Sequence, residues 1–509
     1  MSTTTQTALP SPLFTPGVYI QEIPVLPGSI VSVPTAVPVF VGYTQMAQAG
    51  TQNLLNVPFM IDNIVEYQQY FGGAFPETGL EATVDDTQNT PVTTVILNEK
   101  TRSPYLMFYS VQLYFANGGS PCYILSVGPY NTQNGINIGD FKPGDEFCPV
   151  LEQYNDITLV VIPDAISLPH TDTGTPPGPD TGGTPYYELQ SLAVNHCIKM
   201  ANRMAVMDVY PIHGFSPLNS VKALRNSDTL NKNVGLNING PIPENYKFAA
   251  AYFPRLSTSI TPSVMDPTTL ADDDSKIQVT LKSDPTNPVK LNQLKAGKGQ
   301  IYYSVKNYIA NNLQMLLPAA PAVVGVYASV DNQSGVWTAP ANWPISSVLG
   351  LEFQVSALDQ GPINVDVAAG LSVNVIRSFP GRGPAIIWGA RTLAGNDNEW
   401  RYISVRRFFF MVEQSVKNAI EPLVFASNDN NTWTRVKAMI GNYLTGLYKQ
   451  GALTGATAKD SFYVKVGLGE TMVETDVWEG RMIVQIGMAV VRPAEFIILQ
   501  FMQMMQTPS

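Results

Sequence analysis

The sequence predicts a multi-domain protein of mixed α/β and α+β class, and three features lead to this prediction. A chain of 509 residues is long enough for roughly two to four domains with a large buried core. From residue 157 onward, a strand candidate, a helix candidate and a second strand candidate follow one another, which is the pattern of a βαβ unit. The last third combines two amphipathic helices with several apolar strands.

The N-terminal part alternates short strands with single helices. Residues 16–43 alternate turn formers with β-branched residues, which is typical of short strands interrupted by prolines. A helix is predicted over 61–70, ending at the FGG of 71–73, and another over 105–119, which ends on Asn-Gly-Gly, a C-terminal cap signal. The strand 122–128 follows.

The middle of the chain contains the predicted βαβ unit and two predicted loops. Residues 157–164 and 204–210 are apolar strand candidates, and 186–203 is the helix candidate between them. Residues 171–185 consist mainly of Gly, Pro, Thr and Asp, which leave nothing to bury, so an exposed loop is expected there. A second, polar stretch, 257–300, is also interpreted as a loop.

The last third has the most regular pattern. In 402–420 the apolar residues recur at helical spacing, with Glu413 and Lys417 as a supporting pair four residues apart. A second helix is predicted over 432–450. Strand candidates follow at 461–467, 482–491 and 496–502. Helices that cover a sheet, with additional terminal strands, are therefore expected.

Both ends of the chain resemble strands without a partner. Residues 1–21 carry no charged side chain, and neither do the fourteen residues after Glu495. A short apolar strand alone in water exposes unpaired N–H and C=O groups, which are a template for pairing with another chain. We therefore predict that each end completes the sheet of a neighbouring copy. The strand residues predicted to lie between subunits are Gly17, Val18, Tyr19, Ile20, Phe496, Ile498, Gln500 and Met502.

The charge of the chain indicates assembly more than nucleic-acid binding. Charged residues make up 14% of the chain, against about 25% in typical domains, so much of the surface is expected to be buried between subunits. A formal net charge of −10 is unfavourable for binding phosphates. The segment 375–459 is nevertheless basic, with eleven Lys and Arg against five Asp and Glu. A solvated helix face and a nucleic-acid surface with interleaved aromatic residues are two interpretations of this segment.

The sequence contains no recognisable enzyme, cofactor or metal motif. Its three cysteines form no CxxC pair, and its three histidines fit neither an HExxH helix nor a nucleophile arrangement. The aspartates of 272–274 lack the spacing of a calcium loop. The N-terminus lacks the pattern of a signal peptide, and no stretch is apolar enough to span a bilayer. Synthesis in a reducing cytoplasm, without membrane insertion, is expected.

Several segments, in order, resemble the sheath proteins of contractile phage tails and of phage-tail-like injection particles. The resemblance runs over most of the chain. The segments are TPGVYIQEI (15–23), VPTAVPVFVGYT (33–44), FGG (71–73), NGGSPCYILSVG (117–128), AAAYFPRL (249–256), GVWTAPAN (335–342), GRGPAIIWGARTL (381–393), WRYISVRRFF (400–409), KQGALTGA (449–456), SFYVKVG (461–467) and RPAEFIILQF (492–501).

The resemblance implies a particular division of the chain. A core sheath domain, with a mixed sheet flanked by helices, would comprise 31–149 and 346–490, and 150–345 would form one or more inserted outer α/β domains carrying the loops 171–185 and 257–300. Residues 1–30 and 491–509 would be linker strands exchanged between subunits.

The resemblance also implies a function. The chain would polymerise into a helical tube around an inner tube, in a virion tail or in a cytoplasmic or released particle, and contract from a metastable state. Baseplate and terminator or cap proteins would be further partners. A third interpretation of the basic segment follows, in which Arg435, Lys437 and Lys449 contact an acidic inner tube. The alternative is a non-contractile adhesin-type surface protein with a carbohydrate-binding face, which would remain monomeric or form closed rings.

Overall fold

The structure, a computed structural model, describes residues 30–88, 90–99, 101–131, 135–168, 184–210, 221, 244–266, 271–365, 370–496 and 498. Two compact units can be distinguished. The larger unit contains the described residues of Ser32–Gln414 and those from Val490 onward, and the C-terminal unit contains Ser415–Ala489 with the described residues that precede Ser32. Within these ranges, no helix combines the length and apolar content that a membrane span needs.

The larger unit is built on a mixed sheet of eight described strands. In chain order they are β1 (Pro38–Thr44), β4 (Phe59–Ile61), β7 (Cys122–Pro129), β8 (Leu159–Val161), β9 (Met204–Asp208), β10 (Ala249–Phe253), β18 (Asn374–Phe379) and β19 (Gly383–Ile387). The spatial order is β19-β18-β10-β9-β8-β1-β7-β4. The six inner strands run parallel and the two outermost strands pair antiparallel. Strands β1, β8, β9 and β10 are buried throughout, which explains their continuous apolar sequences.

Helices accompany this sheet in the larger unit. They are α1 (Ile64–Phe71), α2 (Met107–Ala116), α3 (Ile138–Phe141), α4 (Thr184–Met200), α7 (Ala320–Ser334), α8 (Ala357–Asn364) and α9 (Ile403–Ile420), which continues into the C-terminal unit. The predicted βαβ unit is confirmed, because β8 and β9 are parallel neighbours joined through α4. At the end of β9, the Asp208 carboxylate accepts backbone hydrogen bonds from Ala319 (2.6 Å) and Ala320 (3.1 Å) at the start of α7, where a helix favours a negative charge.

A smaller four-stranded sheet lies elsewhere in the larger unit. Its strands are β5 (Leu80–Asp85), β6 (Val92–Leu97), β14 (Gln278–Leu281) and β15 (Asp284–Lys290), in the order β15-β14-β5-β6. Helices α5 (Leu291–Leu294) and α6 (Gly299–Asn312) pack on it around a separate apolar core. The prediction of a loop over 257–300 is therefore wrong for this part, because Val279 and Leu281 face that core while β14 pairs with the distant strand β5.

The remaining strands of the larger unit form small sheets. They are β2 (Gln48–Ala49) with β3 (Gln52–Asn53), β12 (Met265–Asp266) with β13 (Ala271–Asp272), and β11 (Leu256–Thr258) between β16 (Met315–Leu317) and β17 (Val348–Leu351). Thus 257–300 also contributes to these pairings. Residues 171–183 of the other predicted loop lie outside the described residues, and Thr184 already belongs to α4.

The observed division of the chain differs from the predicted one. Strands β8, β9 and β10 come from the range 150–345, which was predicted to be an inserted outer domain. In the structure they are the centre of the main sheet, between β1 on one side and β18 on the other. The reason is that parallel strands from distant parts of the chain pair with one another, which local sequence patterns do not reveal. The mixed α and β fold class itself is confirmed.

The C-terminal unit consists of a helix and a two-stranded sheet with short helices. Its elements are the end of α9, α10 (Asn430–Lys449), α11 (Ala458–Ser461), β20 (Phe462–Lys465), α12 (Glu474–Trp478) and β21 (Gln485–Met488). The side chain of Asp429 caps α10 by accepting a hydrogen bond from Thr432 N at 3.0 Å. Val436, Ile440 and Leu444 form its buried face. The helices predicted at 402–420 and 432–450 are confirmed.

One buried carboxyl group in the larger unit makes stability depend on pH. Glu77 is fully buried; Ser103 N donates to its Oε2 at 3.1 Å, while Oε1 has no hydrogen-bond partner among the described residues. Burial raises the pKa of Glu77 to about 7, although nearby Arg102 opposes this. Its contribution to stability is thus present below about pH 4.5 and is lost as the pH rises through 7.

We therefore expect Glu77→Gln to stabilise the protein at pH 8 by up to about 3 kcal/mol relative to the wild type. At pH 4 the two proteins should unfold at similar temperatures, because the carboxyl group is then neutral in the folded and the unfolded chain. Thermal unfolding followed by circular dichroism at both pH values measures the difference. An equal difference at the two pH values would contradict this assignment.

Candidate assembly interface

The C-terminal segment leaves the larger unit from an anchored position. Arg391, which is 3% exposed, donates from Nε to Glu495 Oε1 at 2.9 Å and from Nη2 to Oε2 at 2.7 Å. Asn364 Nδ2 also donates to Glu495, and so does Tyr402 Oη. Partial burial raises the pKa of Glu495, but the hydrogen bonds from Arg391 and Asn364 outweigh it, so the pKa is lowered. Such a bidentate pair fixes the position of the carboxylate and of the backbone that carries it.

Beyond this anchor, the described residues of the predicted C-terminal strand are exposed. Phe496 is 71% and Ile498 is 81% exposed, and neither belongs to a strand of its own chain. Residues two positions apart lie on the same side of an extended chain. Two large apolar side chains thus lie exposed to solvent within three residues of the anchored Glu495, and they would share one side if this segment is extended as predicted. Gln500 and Met502, like Gly17, Val18, Tyr19 and Ile20 of the predicted N-terminal strand, lie outside the described residues.

The N-terminal segment is also anchored, and the anchored residue is Thr35. Thr35 Oγ1 donates to Asp331, and Arg407 Nη2 donates to the Thr35 carbonyl at 3.0 Å. Arg407 forms a bidentate ion pair with Asp331, and both side chains are almost fully buried. The guanidinium also lies over the Tyr327 ring, 4.7 Å from its centre. Thr35 is therefore tied to the helices α7 and α9 of the larger unit.

The hairpin of the C-terminal unit offers two open edges. Strands β20 and β21 pair antiparallel from Phe462 opposite Met488 to Lys465 opposite Gln485, and in the part of the chain that the structure describes neither has another strand beside it. The Tyr463 ring covers Gly487 on the opposite strand, where an added Cβ would lie 2.2 Å from the ring. A two-stranded sheet is of marginal stability alone, and its outer N–H and C=O groups are free to accept further strands.

The predicted tube-contacting residues do not share one face of α10. Arg435, Lys437 and Lys449 are all exposed on this helix. At about 100° per residue, Arg435 and Lys449 lie about 40° apart, but Lys437 lies about 160° from Arg435. Lys437 Nζ is 3.1 Å from Glu470 Oε2, and this hydrogen bond lowers the pKa of Glu470. Among the described residues, no acidic group lies within ion-pair distance of Arg435 or Lys449.

Three of the eleven basic residues of 375–459 are internal. Arg391, Arg406 and Arg407 are buried and pair with Glu495, Glu413 and Asp331 respectively. The pair predicted between Glu413 and Lys417 is thus replaced by Glu413 with Arg406, at 3.6 Å. The composition of the segment could not show this, because it does not distinguish buried from exposed arginines.

The aromatic residues from Trp400 to Phe410 in segment 375–459 pack against other side chains and do not form an exposed aromatic surface. Phe408 is fully buried and Phe410 is 5% exposed. The Trp400 ring meets Phe409 edge to face, with the ring centres 4.9 Å apart. The Arg406 guanidinium lies 4.8 Å from the Trp400 centre. These contacts remove the aromatic platform that a nucleic-acid surface would use.

The C-terminal unit exposes apolar side chains that sequence reasoning missed. Trp478 is 79% exposed, and the Phe425 side chain is fully exposed on a backbone with φ of 72°. Others are Val424, Leu468, Val473 and Ile483. Scattered exposed apolar residues are normal on proteins, but large aromatic side chains this exposed are typical of contact surfaces. The exposure of Trp478 could have been predicted from the sequence, since this residue lies in the polar stretch TDVWEG.

The three cysteines and His196 are buried in the interior of the larger unit. Cys122, Cys148 and Cys197 are free and buried, and burial raises the pKa of each thiol. His196 is buried with Nε2 3.2 Å from Arg203 Nη1, and burial lowers its pKa to about 4. In the described ranges, no group of three or more His, Cys, Asp or Glu side chains is placed to hold a metal ion.

Comparisons with known proteins agree on one class of assembly. Residues 395–503 match the model of the phage tail sheath C-terminal domain family. The chain is similar to a chain in the cryo-EM structure of the anti-feeding prophage (AFP) baseplate, 6-fold symmetrised (26% identity, 97% of this chain and 100% of that chain, TM-score 0.58).

Two further solved structures are similar over almost the same length. One is the PVC sheath complex of an extracellular contractile injection system in the contracted state (27% identity, 96% of this chain and 98% of that chain, TM-score 0.57). The other is the AFP helical sheath in the contracted state (26% identity, 96% of this chain and 99% of that chain, TM-score 0.59). No curated protein sequence matches the chain.

Proposed function

We propose that this chain, a member of the contractile tail sheath family, is the non-enzymatic structural subunit of a helical sheath in a phage-tail-like particle. The observation that carries the proposal is the combination of an anchored C-terminal segment, with Phe496 and Ile498 exposed, and a hairpin whose two edges have no neighbour among the described strands. The family match at 395–503 and the similarity to sheath and baseplate chains over nearly the whole length support it.

In the proposed assembly, the terminal strands of neighbouring copies complete the hairpin. The strand around Gly17–Ile20 and the strand Phe496–Met502 would add to the free edges of β20 and β21 by β-augmentation. With two proposed arms, and with two edges of β20/β21 that no other described strand occupies, the numbers of donors and acceptors would agree. Head-to-tail contacts of this kind are heterologous, and with a rotation that does not close they generate an open helical tube.

Contraction would use two packings of the same folded subunit. The exchanged strands would stay paired during contraction because their hydrogen bonds join backbone to backbone. The folded parts of neighbouring subunits would meanwhile change the surfaces through which they contact each other. An extended, metastable packing separated by a barrier from a more stable one stores free energy at assembly. With a few kcal/mol released per subunit, about a hundred copies deliver hundreds of kcal/mol to push the tube through a target envelope.

Arg435 and Lys449 are the proposed contacts to an acidic inner tube. They lie on the same side of α10 and have no ion pair among the described residues, whereas Lys437 is compensated by Glu470. The contact would be electrostatic, screened by salt, and weak enough to break on contraction. The baseplate and the terminator or cap protein are the partners proposed for the two ends of the tube.

The proposed function is tested directly by electron microscopy of the purified full chain. We expect open helical tubes of variable length, because strand exchange between copies needs no other component. Closed rings, or monomers at every concentration tested, would contradict the proposal and favour the adhesin-type alternative.

The tube contact is tested by changing single charges in a sheath produced together with its tube protein. Arg435→Gln combined with Lys449→Gln is expected to increase empty or contracted sheaths, more strongly at about 0.05 M than at about 0.5 M salt, because screening at the higher concentration already weakens this contact in the wild type. Lys437→Gln is the matched control and should leave extended particles unchanged. Equal effects of the double variant and the control would argue against this assignment.

A further inference from the structure

The four-stranded sheet β15-β14-β5-β6 has two edges of opposite character. Strand β15 contains Pro285 and Pro288 and is flanked by Asp284 and Lys290. Proline and charge on an edge strand prevent pairing with other chains. Strand β6 has the sequence VTTVIL, with neither a charge nor a proline. No other strand of the described residues pairs with its outer side, and an unpaired edge rich in β-branched residues has the features that favour pairing with another strand.

A groove runs beside this open edge. It has a volume of about 620 Å³ and lies between α6 and Thr93 of β6. The Thr93 and Ser304 hydroxyl groups are 2.6 Å apart and tie the strand to the helix. The helix contributes Tyr303, Ser304, Asn307 and Asn311 along one side. An edge strand next to a helix-lined groove is the arrangement in which proteins bind an extended peptide as an additional strand.

The chemistry of the groove and of the strand defines the occupant. Every side chain that lines the groove is uncharged, and hydroxyl and amide groups predominate. Tyr303 is 62% exposed and offers a ring for contact. On the opposite face of the sheet, Val92 and Ile96 are each more than half exposed. An added strand would therefore place polar, uncharged side chains in the groove and apolar ones beside Val92 and Ile96.

We propose that β6 and the groove form a binding site for an extended, uncharged peptide segment of another polypeptide, which adds as a fifth strand to this sheet. The alternating side chains of this segment are β-branched apolar on one side and hydroxyl or amide on the other. The opposite edge is blocked by the prolines of β15, so this sheet cannot propagate from copy to copy through β15. The site is independent of the hairpin β20/β21 and does not depend on the sheath function.

The test uses the purified full chain and a fluorescent, end-blocked peptide in which valine alternates with threonine or glutamine. Two further versions of the peptide are N-methylated at one or the other set of alternate residues. Only one set of N–H groups of an added strand faces the edge. We expect the unmodified peptide and one methylated version to bind in fluorescence anisotropy, and the other methylated version to bind at least about tenfold more weakly.

Protein variants locate the site. Thr94→Lys, on the exposed face of the edge strand, should weaken peptide binding at least about tenfold. Thr83→Lys is the matched control, because Thr83 is the cross-strand partner of Thr94 on the inner strand β5 and is also exposed. It should change binding by less than about twofold. Thermal unfolding checks both folds, and Val92→Lys replaces Thr94→Lys if the latter does not fold.

Three results would overturn the proposal. The first is equal binding of both methylated peptides, or no binding of any of them. The second is self-association of the chain that Thr94→Lys abolishes, which would make a second copy the occupant. The third is binding of a neutral oligosaccharide such as maltoheptaose, lost on Tyr303→Ala, without binding of the peptides.

Discussion

A chain that lacks residues 496–509 is expected to fold as a stable monomer and to form no sheath. The deletion starts after Glu495, so the ion pair with Arg391 is retained. Phe496 and Ile498 are exposed in the single chain and contribute little to its fold. If each is buried against a neighbour, it contributes about 1.5–3 kcal/mol to that contact. Their joint loss should weaken assembly at least about a hundredfold.

The deletion is assessed with thermal unfolding for the monomer and electron microscopy for the assembly. Removal of residues 171–183 is a control of similar length, because it ends before α4 and affects a segment that the sequence predicts to be a loop. This control should assemble normally. Sheaths of normal length from the chain without 496–509 would show that the C-terminal strand does not join subunits.

Breaking the anchor of the same segment is expected to have the second largest effect. Arg391→Ala leaves the partly buried Glu495 carboxylate without its bidentate partner. Losing one member of a largely buried pair typically costs about 3 kcal/mol or more. We expect a lower unfolding temperature of the monomer and, beyond that, sheaths that dissociate at lower urea concentration, because the C-terminal segment is no longer held at its origin.

Two comparisons separate anchoring from a general loss of stability. Arg481→Ala removes exposed ion pairs with Asp476 and Glu479 and should cost less than about 1 kcal/mol. Glu495→Gln keeps a similar shape but weakens the pair, and should lie between the wild type and Arg391→Ala. If Arg391→Ala sheaths resist urea as well as the wild type does, the anchor has no role in assembly.

Elements with strong local patterns were predictable from the sequence. The helix predicted over 402–420 is observed as Ile403–Ile420, because a long amphipathic pattern determines both its type and its buried face. The βαβ unit was predictable because its strands are continuous apolar runs. Strands β14 and β15 were not, since the apolar alternation of β14 spans only four residues, β15 carries two prolines and two charges, and β14 pairs with β5, about two hundred residues earlier in the chain.

For the candidate interface, too, local sequence features could be predicted but contacts between distant parts of the chain could not. Chain ends without charge can be read directly from the sequence. The anchors cannot, because Arg391 with Glu495 and Arg407 with Asp331 are distant in sequence and meet only in the fold. The separation of Lys437 from Arg435 could have been predicted, since the helical period of about 100° per residue already places the two residues on different sides of the helix. Its partner Glu470 was not, because it follows from the packing of the C-terminal unit.

The burial of all three cysteines has a consequence for the redox behaviour of the proposed sheath. The chain has no cysteine other than Cys122, Cys148 and Cys197, and none of these thiols is more than 4% exposed. Under oxidising conditions, no accessible sulfhydryl group would therefore be available to cross-link adjacent copies in the proposed sheath. For the same reason, a single cysteine introduced at the surface would be the preferred site for a covalent label, which would report on the proposed movement of individual subunits.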